Sequence, residues 1–227
     1  FSYAGGNGDG VTVIVGNGVT TIPAYLFACD APKLVAVEFE ENSACQSIGS
    51  FAFYQCTGLT ELILPESLTT IGSYAFYNCT GLTKINYNAW GLADLSEYDW
   101  VFSYAGQSGD GITVTVGSSV TRIPAYLFYP PYGSSTYTPK IVAVEFAEGS
   151  NCQSIGQYAF YSSTGLKSLI LPEGLQTIGS GAFYICSGLK KVMVMSAAVA
   201  EALTSDSAAG YLTQYAQTVL LPGTTQL

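Results

Sequence analysis

The sequence predicts a solenoid of the α/β class: about eight stacked turns with a short-stranded parallel sheet along one side and a small helical cap at the C-terminal end. Three observations predict it. The chain is a tandem duplication, each copy contains a shorter period of apolar residues, and isoleucine and phenylalanine recur at fixed distances within that period. In the duplication, residues 1–27 match 102–128 with 20 of 27 positions identical, and residues 33–87 match 140–194 with 36 of 55 identical.

The strands come first. The last apolar residue of each one recurs at Val15, Phe39, Leu64, Tyr87, Val116, Phe146, Leu171 and Val194, at spacings of 24, 25, 23, 29, 30, 25 and 23. Most of these fall within the period of leucine-rich repeats. Two positions before each anchor stands another apolar residue, from Val13 and Val37 to Leu169 and Val192, which is the alternation of a half-buried strand.

The turn after the strand carries the second signal. Ile71 and Ile178 follow Leu64 and Leu171, each is followed by glycine, and Phe76 and Phe183 come next. Ile48/Phe53 and Ile155/Phe160 repeat the pattern, whereas Ile22/Phe27 and Ile123/Phe128 carry proline in place of glycine. One repeat cannot enclose these residues. Stacked repeats align them into continuous apolar columns.

The stretch L-I-L-P-E-S-L-T-T-I-G-S-Y-A-F-Y-N-C-T-G-L-T-K-I, residues 62–85, resembles the 23-residue repeat of BspA-like, Treponema-type leucine-rich-repeat proteins. The resemblance covers about residues 11–194, with IGxxAFxxC intact at Ile48–Cys56, Ile71–Cys79 and Ile178–Cys186. Ser163 replaces the cysteine after Ile155. Family members are bacterial cell-surface or secreted proteins, several of them adhesins toward host proteins or other bacteria. The resemblance therefore implies an extracellular or surface-attached binding protein.

Domain organisation follows from the two copies: residues 1–87 and 102–195 are the repeats, 88–101 a connector and 196–227 a cap, all in one continuous solenoid. The connector holds both tryptophans, Trp90 and Trp100, and is expected to cover the junction between copies. In the cap, Ser196 is a helix N-cap candidate ahead of an alanine-rich stretch, followed by a strand at Val219–Leu221. Phe1 aligns with Phe102 inside a repeat, as expected of a segment of a longer protein.

Composition narrows the function. With 48% hydrophobic residues the chain of 227 can bury a sizeable core, while only 10% are charged. Seven Lys plus Arg against 16 Asp plus Glu give a net charge of −9, which argues against nucleic-acid binding. No apolar run is long enough to span a bilayer as a helix. A chain without histidine cannot build a Ser-His-Asp or Cys-His site, and it lacks the commonest metal ligand.

A carboxylate-dependent glycan hydrolase is the remaining enzymatic reading, and its candidates, Glu38 and Glu145, are copies of one repeat position. They read better as duplicated surface groups, so no enzyme, cofactor or metal is expected. The G-D-G tripeptides at Gly8–Gly10 and Gly109–Gly111 read as turns. The six cysteines read mainly as small buried side chains, with a Cys56–Cys79 bridge as the alternative.

The candidate surface follows from strand alternation. Residues between the inward-facing ones form an outward column of Ile14, Glu38, Ile63, Asn86, Thr115, Glu145, Ile170 and Met193, flanked by residues such as Glu61. Such a concave face suits a protein or glycan partner. The six-residue insertion within Tyr129–Pro139 adds Tyr129, Tyr132 and Tyr137, whose Tyr-Ser-Gly composition resembles that of binding loops. The expected function is a non-enzymatic binding module, monomeric, with adhesion as the leading reading and a spacer or self-association repeat as the alternative.

Overall fold

The computed structural model describes residues 10–28, 34–131, 134, 136–196, 198–201, 212, 216 and 218–220. Cys29, Tyr132, Gly8 and Asp9 of the first G-D-G, and most of the expected cap lie outside the described residues.

The first copy contributes β1 (Val11–Val15), β2 (Thr21–Ile22), β3 (Leu34–Phe39), β4 (Ser47–Ile48), β5 (Glu61–Leu64), β6 (Thr70–Ile71) and β7 (Lys84–Tyr87). The second contributes β8 (Ile112–Val116), β9 (Arg122–Ile123), β10 (Ile141–Phe146), β11 (Ser154–Ile155), β12 (Ser168–Leu171), β13 (Thr177–Ile178), β14 (Lys191–Val194) and β15 (Thr218–Leu220). Every apolar anchor read from the sequence is the last residue of a strand. The longer strands form a parallel sheet in the order β1-β3-β5-β7-β8-β10, followed by a separate sheet β12-β14-β15. The expected terminal strand lies one residue earlier, at Thr218–Leu220, and pairs with β14.

The motif isoleucines carry a second set of strands, each two residues long, in the orders β2-β4-β6 and β9-β11-β13. In this ladder the glycine after each isoleucine donates backward: Gly49 N bonds Ile22 O, Gly72 N bonds Ile48 O, and Gly156 N bonds Ile123 O, each at 2.8 Å. The I-G pair has a steric cause. A Cβ on Gly72 would lie 2.4 Å from Ser50 N, and one on Gly179 2.3 Å from Gln157 N, so the preceding turn occupies the space of a side chain.

The same ladder explains the prolines. Pro124 lies on the turn after the connector, where the preceding turn has no motif isoleucine to offer a carbonyl, so the missing N–H costs nothing there, and Pro23 takes the same place on the first described turn. Gly72→Ala is expected to destabilise by about 1–3 kcal/mol through overpacking, measured by urea unfolding; an unchanged midpoint would refute the steric account.

Residues 88–101 replace the missing isoleucine turn. Ala93 N donates to Thr69 O at 3.0 Å and Leu95 N to Ala125 O at 3.1 Å, while Arg122 donates to Leu92 O and ion-pairs with Asp94. The connector thus fills the space between β6 and β9. It also delivers Phe102 into the phenylalanine column, a placement the sequence reading missed. The column runs Phe27, Phe53, Phe76, Phe102, Phe128, Phe160, Phe183, with neighbouring ring centroids 5.1–5.4 Å apart.

A third ladder runs along this column in the opposite sense, each turn donating forward: Phe53 N to Ala75 O, Phe76 N to Val101 O, Phe160 N to Ala182 O. It recruits residues two before the phenylalanine, Tyr25, Phe51, Tyr74, Trp100, Tyr126 and Tyr158, which all adopt left-handed φ between 44° and 60°. Such values are uncommon outside glycine. Here hydrogen bonds to the next turn, from the backbone N–H groups of Tyr25, Phe51, Tyr74, Tyr126 and Tyr158, hold this conformation.

Among the described residues, α-helix occurs only at 198–201 and 212. The short helical turn at 198–201 begins at Ser196, whose Oγ accepts from Val199 N at 3.3 Å as an N-cap does.

Cysteines line the column's inner edge. The Sγ atoms of Cys56, Cys79 and Cys186 donate to the carbonyls of Phe27, Phe53 and Phe160 at 3.2–3.3 Å. All five described cysteines are buried, and burial pushes the Cys186 thiol up to about 12.

Among the described residues, Tyr87 is the largest of the buried polar side chains without a partner: it is 1% exposed and its hydroxyl, like those of Ser103 and Ser162, has no hydrogen-bond partner. Burial raises its pKa well above the ordinary phenol value. The raised folded-state value means that stability is intact below pH ~10 and lost as pH rises beyond the unfolded pKa. Tyr87→Phe is expected to add about 1 kcal/mol at neutral pH and to flatten the alkaline loss; chemical unfolding at pH 7 and pH 11 checks both.

Candidate functional site

The open faces of the two long-strand sheets carry the predicted column in three registered stretches. Ile14 pairs in register with Glu38; Ile63 with Asn86, Asn86 with Thr115, and Thr115 with Glu145; Ile170 pairs with Met193. Ile14 is 65% and Ile170 58% exposed, Glu38 and Glu145 are exposed, and Ile63, Asn86, Thr115 and Met193 are half-buried. Glu61 is tied into the face, accepting from Lys84 Nζ at 3.0 Å and Asn86 Nδ2 at 2.9 Å. An exposed pair of this kind contributes under about 1 kcal/mol, so it orients the carboxylate more than it stabilises the fold.

The face is not uniform. Between β10 and β12 the strand ladder lapses, and an open cleft of about 920 Å³ lies there. Glu145 and Phe146 form one wall, Ile170, Pro172 and Glu173 the other, and Met195 closes one end. The arc from Phe146 to Ile155 is two residues longer than the arc from Leu171 to Ile178, which separates the two strands at this junction.

The insertion does not stand out as a free loop. Pro130, Pro131, Thr138 and Pro139 are buried, Tyr104 N donates to Tyr137 O at 3.1 Å, and Gln107 Nε2 donates to Thr138 O at 2.8 Å. Tyr137 packs on Tyr104 at 5.1 Å and Tyr129 on Tyr161 at 5.0 Å, placing both in aromatic rows on the solenoid's edge. The proline-rich segment packs because it supplies the carbonyl that continues the forward ladder.

Those rows take two forms. In the first copy the rings lie nearly parallel, with Tyr25–Phe51 at 4°, Phe51–Tyr74 at 8° and Tyr54–Tyr77 at 8°. In the second the corresponding neighbours tilt, Tyr126–Tyr158 by 35° and Tyr129–Tyr161 by 59°, around a hollow of about 420 Å³ bordered by Glu97. Burial, then the neighbouring tyrosine hydroxyls, raise the pKa of Tyr161, and burial with neighbouring tyrosines pushes Tyr77 up to about 12. The inner aromatic row escaped the sequence reading, although an aromatic two residues before most column phenylalanines was its signal.

Trp100 joins that row, edge-on to Tyr74 at 5.4 Å, whereas Trp90 is 54% exposed. The connector's two tryptophans therefore do different things: one covers the junction and the other faces solvent. Among the described residues no group of three or more acidic or cysteine side chains is arranged to hold a metal ion.

A family model described as a BspA type leucine rich repeat region matches residues 20–130 and 134–202, in six copies. The chain belongs to the BspA-type leucine-rich-repeat family. The match includes the proline-bearing turns at Ile22 and Ile123, where the motif is most altered. Among solved structures, the chain is similar to a leucine rich cell surface protein of Faecalibacterium prausnitzii, at 22% identity and a TM-score of 0.49, over 84% of this chain and 49% of that one. It is also similar to a leucine-rich repeat protein of Bacteroides ovatus (20%, TM-score 0.48, 97% and 55%) and to the leucine rich repeat protein of T. pallidum (22%, TM-score 0.33, 82% and 59%). The chain therefore spans about half the length of these structures. No curated protein matches it significantly. BspA-type proteins belong to the leucine-rich repeats, which are protein-binding modules, and no helix among the described residues is long and apolar enough to cross a membrane.

Proposed function

We propose that this chain is the binding module of a secreted or cell-surface protein, acting without catalysis and adhering to a protein or glycan of a host or another bacterium through its open sheet face. The observation that carries the reading is the outward column along the two long-strand sheets, with Ile14 and Ile170 more than half exposed and the carboxylates of Glu38 and Glu145 in the same column. Exposed aliphatics that share one open sheet face with apolar clefts suit a contact surface. Tyr129 and Tyr137 border the same molecule's aromatic edge and form the second contact region of this proposal. The duplicated halves act together, as one continuous solenoid.

Capture of a saturable partner on protein and glycan arrays by the intact chain tests the reading. The alternative, a spacer or self-association repeat, predicts concentration-dependent association in sedimentation and no partner. A monomer with a specific partner removes that alternative.

A further inference from the structure

The cleft at Ile170 has a twin. A second cleft of about 520 Å³ lies on the same face beside Ile63, lined by Phe39, Pro65 and Glu66 among others. Shifted by the duplication offset of 107, these residues become Phe146, Ile170, Pro172 and Glu173, four residues that line the larger cleft. Both clefts sit where strand pairing thins: β3 and β5 share only two register pairs, and β10 and β12 share no ladder, whereas β5/β7, β7/β8 and β12/β14 each pair over four. Both follow a strand whose outgoing arc, Phe39 to Ile48 or Phe146 to Ile155, is two residues longer than the neighbouring arcs.

Their chemistry agrees as well. Each has an apolar floor of isoleucine, phenylalanine and proline, and each is closed by a solvent-exposed apolar side chain, Trp90 at 54% or Met195 at 45%. Each has carboxylates at its rim, Glu40, Glu41 and Glu66 in one and Glu145 and Glu173 in the other, and no lysine or arginine lines either. Glu40 accepts from Asn17 N at 2.8 Å and Glu66 from Ser119 Oγ at 3.2 Å, so neutral groups hold them while their charge stays uncompensated.

Building on the sheet-face reading above, we infer that the two clefts are paired subsites for one repeated feature of a protein partner: an apolar anchor flanked by lysine or arginine. The apolar body enters between the separated strands and the cation meets the rim carboxylates. The clefts are four strand spacings apart, which at about 4.8 Å per strand places them about 19 Å from each other. A partner with two such anchors at that separation gains avidity that a single anchor lacks.

The test uses phenethylammonium as a one-headed probe, its neutral counterpart 2-phenylethanol, and a two-headed compound carrying two phenethylammonium groups on a flexible linker spanning about 19 Å. The methyl NMR signals of Ile63 and Ile170 report on each cleft. Saturable shifts at both methyls, at least threefold weaker binding of the alcohol, and at least tenfold tighter binding of the two-headed compound are expected. Glu173→Gln should reduce the two-headed compound toward one-headed affinity with melting unchanged. Equal binding of alcohol and ammonium, a response at one cleft or neither, or no gain from the second head overturns the inference. An array partner that is lost on changing Ile63 and Ile170 while the ammonium shows no preference would sink the paired cationic subsites and leave the sheet-face reading standing.

Discussion

Replacing Phe76 by alanine is expected to lower the free energy of unfolding by about 3 to 5 kcal/mol. The ring is fully buried and lies between Phe53, 5.1 Å away at 3°, and Phe102, 5.2 Å away at 5°. Truncation leaves a cavity with walls from two neighbouring turns, and the stacked rings cannot close it without shifting the backbone ladder that holds them in register. In a solenoid each turn is supported by its neighbours, so the loss spreads along the stack. Phe27→Ala is the internal control: that ring is half-buried on the first described turn and should cost distinctly less. Urea unfolding of both variants checks the ranking, and a loss below about 1 kcal/mol for Phe76→Ala would contradict the column's role.

The second large effect concerns binding. With a partner in hand from the arrays, the double variant Ile63→Asp, Ile170→Asp is expected to weaken it at least a hundredfold, because truncating or charging a central apolar anchor typically costs 2 kcal/mol or more per site. Ile170 is 58% exposed and Ile63 half-buried on the same open face, so melting should change little. Undiminished binding by a folded double variant would move the site off the sheet, with the tyrosine-lined edge next in line.

Much of this architecture is legible in the residues, and the reasons differ by element. Strand ends could be placed because inward and outward positions alternate, as at Leu62, Ile63 and Leu64, and a one-residue slip would bury Ile63 in place of its neighbours. The phenylalanine column could be placed wherever the I-G motif preceded it. Phe102 escaped because its turn has no motif isoleucine: residues 92–95 take that place through backbone hydrogen bonds, and backbone groups carry no sequence signature. The same holds for the left-handed aromatics, whose conformation is imposed by carbonyls one turn away. The outward column was legible residue by residue, but its clefts were not, since they arise from arc length acting across two strands. The packing of Tyr137 onto Tyr104 needed a neighbour 33 positions away, beyond any local pattern.

The opposed senses of the two inter-turn ladders have one more consequence. Peptide dipoles that all point one way, as along a helix, build up partial charge at the ends as the structure lengthens. Here the glycines after the motif isoleucines donate toward the N-terminal turn and the phenylalanine ladder toward the C-terminal turn, so these two sets of peptide dipoles partly offset one another along the stack. Adding turns therefore builds up less charge at either end than a single one-way ladder would. A gene segment encoding several turns can be copied in tandem at little electrostatic penalty, and doubling then supplies a second reading surface at a fixed distance from the first.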